Sequence, residues 1–411
     1  MQLKRVVITG MGAVSPYGNG VPALLDGLWS GKSSIQVVDA FTRVEGLRCH
    51  LGGLAHGVDP QEIPRKDRRS MSAMSVYAFF AAREALHMGN VDPAMHSSGR
   101  LGVAIGSTIG SPNTMQSFFE DFLRDRCLER ARSTLFFQIM NHSCSSNVAH
   151  ALKINGRVLA SSSACATGCQ TIGYGMETIA LGKQDMMLCG GADEFHLLVA
   201  GTFDKINAAS FGFNDRPTES PRPFDADRDG VVCGEGAGVL LLESLESARD
   251  RGAAILAEVA GFGTNHDPSS IANPDAAAIE ACMRQAIEDA GIAPKDVDYV
   301  NAHATATRQG DIAECAAVAG LLGARTPMTS LKGHMGHTLA ASGALESIAV
   351  IDMMRKDTII PTLNLDTPDP LCQGVDLPNQ PVARPLRIAL KNNFALGGVN
   401  SSIVLRRYEH D

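Results

Sequence analysis

The second half of the chain repeats the first, and this repetition restricts the fold more than any other feature of the sequence. RVVITGMGAV (residues 5–14) is echoed by LAEVAGFGTN (256–265). AAREALHMGNVDP followed by RLGVAIGS is matched by CMRQAIEDAGIAP followed by VDYVNAHAT, and SSSACATGCQTIGYGMETIALGKQD is answered by SLKGHMGHTLAASGALESIAVIDMMRKD. Three echoes in one order imply two similar units, here residues 1–250 and 251–411, with the join at 249–254. Within each unit apolar runs alternate with helical patterns, which is the α/β signature. Residues 5–9, 101–105, 184–189 and 239–242 are predicted as buried strands, and 74–88 and 168–181 as helices.

Composition narrows the function. At 411 residues the chain has room for two or three units of roughly 150 residues. Hydrophobic residues at 45% against 19% charged place it among folded globular proteins. A net charge of −8 opposes a nucleic-acid partner, because phosphate binding needs surplus Lys and Arg. The ten cysteines show no C-x-x-C and no histidine-rich cluster, so no metal site is expected and reduced, buried thiols are. Residues 1–10 form a basic-then-apolar strand pattern too short for a signal peptide. No run of 18 apolar residues occurs, so a cytoplasmic protein without a membrane partner is expected.

In open α/β sheets functional residues gather at the carboxyl ends of strands, where helices begin. Cys165 lies there, where VLASSSACATG opens a helix. The helix end would favour a thiolate and lower its pKa, and the small neighbours would admit a bulky thioester. The same position also suits a buried structural cysteine, and on context alone both readings stand. Cys169, one turn on, suits helix packing. His303 closes DVDYVNAH before a run of Ala, Thr and Gly typical of an active-site loop. His337 is predicted at the start of the helix that the repeat equates with the one behind Cys165. Lys332 precedes it by five residues, and Glu346 follows by nine on the same predicted helix. The closing LKNNFALGGVNSSIVL reads as strand, glycine loop and strand, a form able to aim a backbone N–H into a site.

Together these motifs resemble the β-ketoacyl-acyl-carrier-protein synthases of the thiolase superfamily, in particular the synthase II type. The likeness runs from RVVITGMGAVSPYGNG to NNFALGGVN and includes SPRPFDADRDGVVCGEGAGVLLLE (220–243). It implies a thiolase-like α/β fold, two duplicated halves packed as a five-layered αβαβα core. It implies Cys165 as acyl-accepting nucleophile, His303 and His337 as the catalytic pair, Lys332 as the conserved lysine and Glu346 as the buried glutamate. Asp311 and Glu314 would support them, and Thr305 and Thr307 would hydrogen-bond the phosphopantetheine arm. The N–H groups of Cys165 and Leu396 would form the oxyanion hole, while Leu396, Ile109 and Val231 would shape the gate and acyl channel. The partner implied is an acyl carrier protein, with a homodimer or a heterodimer with a chain-length factor, and no resident cofactor is required.

The basic run PRKDRR (Arg65, Lys66, Arg68, Arg69) stands where the family docks acidic carriers, with Lys205 as a possible addition; by itself such a run equally suits a solvated helix start. Several motifs depart from the family pattern. G-F-G-G-T-N reads ALGGVN, HGTST reads HATAT, TKSMTGH reads LKGHMGH, and DRDGF reads DRDGV at Val231. MNHSCSSNVAHAL (140–152) is also unlike the housekeeping enzymes. These changes leave the reacting atoms in place and alter the gate and channel. They favour a specialised polyketide or aryl-polyene ketosynthase as the alternative. A degradative thiolase is disfavoured, since it normally uses a second cysteine, and Cys165 with both histidines and Lys332 argues against a non-catalytic partner subunit.

Overall fold

The computed structural model describes residues 3–129 and 132–409; the first two residues of the basic-then-apolar pattern at 1–10, two residues of the first half and the last two of the second half lie outside them. The first half supplies β1 (Val6–Ser15), β2 (Leu101–Gly106), β3 (Val158–Leu159), β4 (Met186–Asp193) and β5 (Gly236–Ser244). The second supplies β6 (Ala257–His266), β7 (Tyr299–Asn301), β8 (Met328–Thr329), β9 (Ile388–Phe394) and β10 (Val399–Arg406). The spatial orders are β3-β2-β4-β5-β1 and β8-β7-β9-β10-β6, the same permutation in both halves. In each, the outer three strands are parallel and the remaining pairings antiparallel. The repeat seen in the residues is therefore a repeat of topology, and it continues through β1 and β6, which pair antiparallel at Val7–Glu258 and Ile8–Ala257.

Three apolar cores separate five layers. Helices α1 (Ala73–Met88) and α2 (Ser143–Ala151) cover the outer face of the first sheet, and their Phe79, Phe80 and Val148 pack on Val103, Leu188 and Leu241. Helices α3 (Thr167–Ala180) and α6 (Ser342–Lys356) fill the space between the sheets. Helices α4 (Ala276–Asp289) and α5 (Arg308–Leu322) cover the second sheet, with Met283 and Val318 against Val300, Leu390 and Val404. α6 is buried at every position from Ser342 to Met354, because it lies in the layer enclosed between the two sheets. The two central helices can approach closely because Gly168 and Gly343 face each other. A Cβ on Gly168 would lie 2.4 Å from the carbonyl oxygen of Ala340, and one on Gly343 would lie 2.3 Å from the backbone nitrogen of Cys169.

The predicted strands and helices are present, each shifted by a few residues. The exception is the run before Cys165, where only Val158 and Leu159 pair; the small residues 160–163 leave the sheet to form the site. Among the described residues no helix is long and apolar enough to cross a membrane.

Candidate active site

Cys165 sits in a single 3-10 turn, Ala164–Ala166, that leads into α3. Ala164 has φ 46°, a left-handed conformation that costs a non-glycine residue energy and throws the next side chain outward from the helix axis. The second half repeats this device: Leu339, φ 53°, opens the turn Leu339–Ala341 ahead of α6. The structural counterpart of Cys165 is therefore Ala340. His337 lies three residues upstream of that position, in the turn after the short helix Lys332–Met335, and Glu346 alone is on α6. This corrects the expectation that His337 opens the helix and shares it with Glu346.

The cysteine Sγ and one ring nitrogen each of His303 and His337 lie within 4.8 Å of one another. The two imidazoles meet edge to face, centroids 5.2 Å apart at 83°, and Phe394 stands edge-on to His303 at 6.1 Å. His303 follows β7 by two residues, and its backbone is fixed by Glu314, whose carboxylate accepts the N–H groups of His303 (3.0 Å) and Ala304 (2.8 Å). Its Nδ1 faces the amide nitrogen of Asn393 at 3.4 Å. That amide orientation is fixed, because Ser342 gives its hydroxyl proton to the Leu339 carbonyl and so must accept from Asn393. Nδ1 of His303 is then an acceptor and its proton is on Nε2. Among the described residues neither ring nitrogen of His337, although buried, has a hydrogen-bond partner.

Burial pushes both histidines well below their ordinary pKa, and the charges of Lys332 and Lys391 push further the same way. At neutral pH the pair is uncharged. Lys332 and Lys391, both fully buried, hold the two oxygens of Glu346: Lys332 on Oε1 and Lys391 2.7 Å from Oε2. Cys165 behaves differently from expectation. Burial outweighs the help it receives from the Leu396 N–H and the Lys332 charge, and its thiol is pushed up to about 11. The depressed pKa inferred from the helix end is thus not what the buried site gives; at rest the group is a thiol.

Over the turn lies the loop 395–398. Its Ala395, Gly397 and Gly398 N–H groups bond to backbone carbonyls, whereas that of Leu396 is directed to the Cys165 thiol. Gly398, with φ 77°, has no room for a side chain, since a Cβ would stand 2.2 Å from the Asp267 carbonyl oxygen. The reacting groups open into a cleft of about 610 Å³ lined by Val231, Thr305, Thr307, Glu314, Phe394 and Leu396 among others. The Thr305 and Thr307 hydroxyls are 3.2 Å apart on one wall. Ile109, half-buried in the loop after β2, is not part of that lining. Asp311 lies beneath the wall, paired with Arg228 at 3.3 Å and accepting the Phe224 N–H; burial raises it to about 7. Lys205 ends the helix Leu197–Lys205, next to the lining residues Ile206 and Asn207. Arg65, Lys66 and Arg69 are exposed and Arg68 half-buried on or beside the helix Arg65–Arg68, away from the cleft lining.

Among the residues of the site that were not anticipated are Lys391 and Asp193. Lys391 was hidden in a strand whose K-N-N run reads as a polar edge. Asp193, at the end of β4, accepts from Ser107 Oγ (2.7 Å), the Thr108 N–H (2.9 Å) and the Ala340 N–H (2.8 Å), so it ties the Ala340 turn of the second half to the loop after β2 of the first. Its signal in the sequence was a single acid closing an otherwise apolar strand, MMLCGGAD.

A cysteine and two neutral histidines at the junction of two thiolase-like halves define a carbon–carbon condensing enzyme class. The chain belongs to the beta-ketoacyl synthase family, whose N-terminal domain matches residues 3–248 and whose C-terminal domain matches 256–366. It is 34% identical over 99% of its length to the 3-oxoacyl-[acyl-carrier-protein] synthase 1 of Haemophilus influenzae, all of which is covered. It is 36% identical over 99% to the synthase 2 of Staphylococcus aureus, 99% covered. Both synthase types are thus related at similar distance. Among solved structures, a beta-ketoacyl synthase from Burkholderia phymatum superposes with TM-score 0.95 at 41% identity, covering 99% of this chain and all of that one. The ishigamide ketosynthase/chain length factor gives 0.91 at 31%, with the same coverage. So does a type II polyketide ketosynthase solved in complex with its acyl-carrier protein and bound to the hexaketide.

Proposed function

We propose that the protein is a β-ketoacyl-acyl-carrier-protein synthase, an acyltransferase joining a cysteine-bound acyl group to malonyl carrier with loss of CO2. The observation that supports this most is the pair of neutral, buried imidazoles facing the thiol, with both His337 nitrogens free for a ligand. The Cys165 thiol attacks the acyl thioester and gives up its proton as the carrier thiol departs. Malonyl thioester then loses CO2: the C–C electron pair passes to the thioester oxygen as an enolate. Two N–H donors, Nε2 of His303 and one nitrogen of His337, stabilise that charge where it forms. The enolate carbon attacks the Cys165 thioester, the N–H groups of Cys165 and Leu396 hold the tetrahedral oxyanion, and collapse expels Cys165 as a thiolate, which takes a proton from water to return to the thiol. Thr305 and Thr307 receive the pantetheine arm, and the basic residues at 65–69 with Lys205 receive the acidic carrier. The reaction asks for no resident metal or redox group. The protein would work in the cytoplasm as a dimer, with itself or with a chain-length factor, and the second pairing is supported by the related ketosynthase/chain length factor structure.

The test is a variant series. Cys165→Ala should abolish condensation with the fold retained, and Cys165→Gln should still decarboxylate malonyl thioester. His303→Ala and His337→Ala should each lose about 10²–10³ in decarboxylation, more than in self-acylation. Condensation by Cys165→Ala, or unslowed decarboxylation in both histidine variants, would refute the assignment. A second reading, a specialised polyketide or aryl-polyene ketosynthase, is favoured by Leu396, 40% exposed over the cleft where the family usually has phenylalanine.

A further inference from the structure

We infer that Lys391 is a positioning residue for the condensation, a built-in cation that shares Glu346 with Lys332 and sets the field in which the two histidines work. Lys391 is fully buried on β9, with its Nζ 2.7 Å from Glu346 Oε2 and donating to the Asn392 carbonyl. Lys332 takes the other carboxylate oxygen. One carboxylate thus serves two ammonium groups, and the trio carries a net positive charge that Glu314, close enough to act on both lysines, offsets in part. A buried charge without a counter-charge costs several kcal/mol, so a lysine needed only for packing would be an expensive choice. A second ammonium group placed beside the histidines becomes useful where negative charge develops during turnover, as on the proposed enolate.

The placement is direct. Lys391 and Asn393 project from the same face of β9 toward α6, and Asn393 is the group that touches His303 Nδ1 and Ser342. The charged and titratable groups facing the histidine pair are Lys332, Lys391, Glu346, Glu314 and Cys165, with Asp193 behind the cysteine. Of these, both lysines oppose protonation of the imidazoles. Lys391 therefore acts through His303, His337 and Glu346 without touching substrate.

This rests on the condensing-enzyme reading, and its test separates the two. Decarboxylation of malonyl thioester is measured from pH 5 to 8 in the wild type, Lys391→Met, Glu346→Gln and the double variant, with melting midpoints recorded. Removing the Lys391 charge relieves its opposition to imidazolium, so the histidine pKa values rise. The acid limb should then move to higher pH by about half a unit or more, roughly a threefold loss on that limb. Glu346→Gln removes a negative charge and should move the limb the other way. The double variant restores the net charge of the trio and should return it toward wild type. A limb that stays in place in Lys391→Met, with only the melting midpoint lowered, would overturn the inference and leave a structural lysine. If Lys391→Met does not fold, the comparison of Glu346→Gln with the double variant decides: the limb must still rise on loss of the lysine, and a fixed limb overturns the inference. A wild type unable to decarboxylate malonyl thioester would refute the functional reading instead.

Discussion

At Cys165 two effects oppose each other: the start of α3 favours a thiolate, and complete burial favours a thiol. Burial prevails, with the pKa raised to about 11 against an ordinary 9. Below that value the thiolate fraction rises about tenfold per pH unit, so alkylation of Cys165 by iodoacetamide should climb roughly a hundredfold from pH 7 to 9. A rate already level above neutral pH would show that the helix end wins. The residues themselves showed which cysteine faces a helix start but not how deeply it is enclosed, because the enclosure comes from the loop 395–398 of the other half. That loop carries the second residue-scale prediction. Leu396 lacks the flat ring the family usually places there, and the fully buried Val231 beside it in the cleft wall is also smaller than the usual phenylalanine. The channel beside Cys165 should therefore admit stiff, unsaturated acyl chains. In competition between a saturated and a polyenoyl carrier of equal length, the wild type should favour the polyene and Leu396→Phe should shift toward the saturated chain. A wild type that prefers the saturated chain, unmoved by the substitution, would mean that neighbours refill the space.

At the scale of elements, the short helix Arg65–Arg68 shows how four residues can make a uniform surface. Its one acid, Asp67, is buried, facing His150 Nε2 at 3.4 Å and Lys153 Nζ at 4.0 Å, which leaves the bases outward. Such a face should speed and tighten capture of an acidic carrier and matter little to a small substrate. Arg65→Glu with Lys66→Glu should raise the apparent KM for acyl carrier about tenfold and flatten its salt dependence, and leave turnover of an acyl-coenzyme A surrogate unchanged. Equal losses with both substrates would make the helix a structural support. Elements were also where the sequence was most readable. β1 and β6, β2 and β7, α3 and α6 each correspond to an echoed segment. What could not be read was the role of polar residues inside an element. In I-A-L-K-N-N-F, β9 is buried on both faces, Ala389 toward the central layer and Leu390 and Phe394 toward the outer one. Nothing local distinguishes such a strand from a polar edge, because the partners of Lys391 and Asn392 on α6, α4 and α5 lie 45 to 109 residues away. The same holds for Asp193, whose acceptor role links residues 147 apart.

Across the whole molecule, duplication supplied two equivalent turns and the contacts around them made the halves unequal. In the first half the turn presents Cys165 to the cleft. In the second, the equivalent Ala340 is fully buried, its N–H is taken by Asp193, and its carbonyl oxygen is crowded by Gly168 and Gly191 of the first half. The second half instead contributes the histidines, Lys332 and the Leu396 loop. Neither half therefore holds a complete site, and neither holds a complete core. The central cluster joins Ile8, Ile172 and Leu242 of the first half to Leu345, Ile348, Ile403 and Leu405 of the second. α3 and α6 bury surface against both sheets, so separating the halves would expose apolar area worth roughly 25 cal/mol per Å² with nothing to replace it. A structure built this way should unfold as one unit. Calorimetry of the full chain should give a single transition, and residues 1–250 expressed alone should lack a cooperative melt and bind a hydrophobic dye. A sharp independent transition for 1–250 would show that the repeated halves are separable domains and that the interlock at Asp193, Gly168 and Gly191 serves the site without holding the fold together.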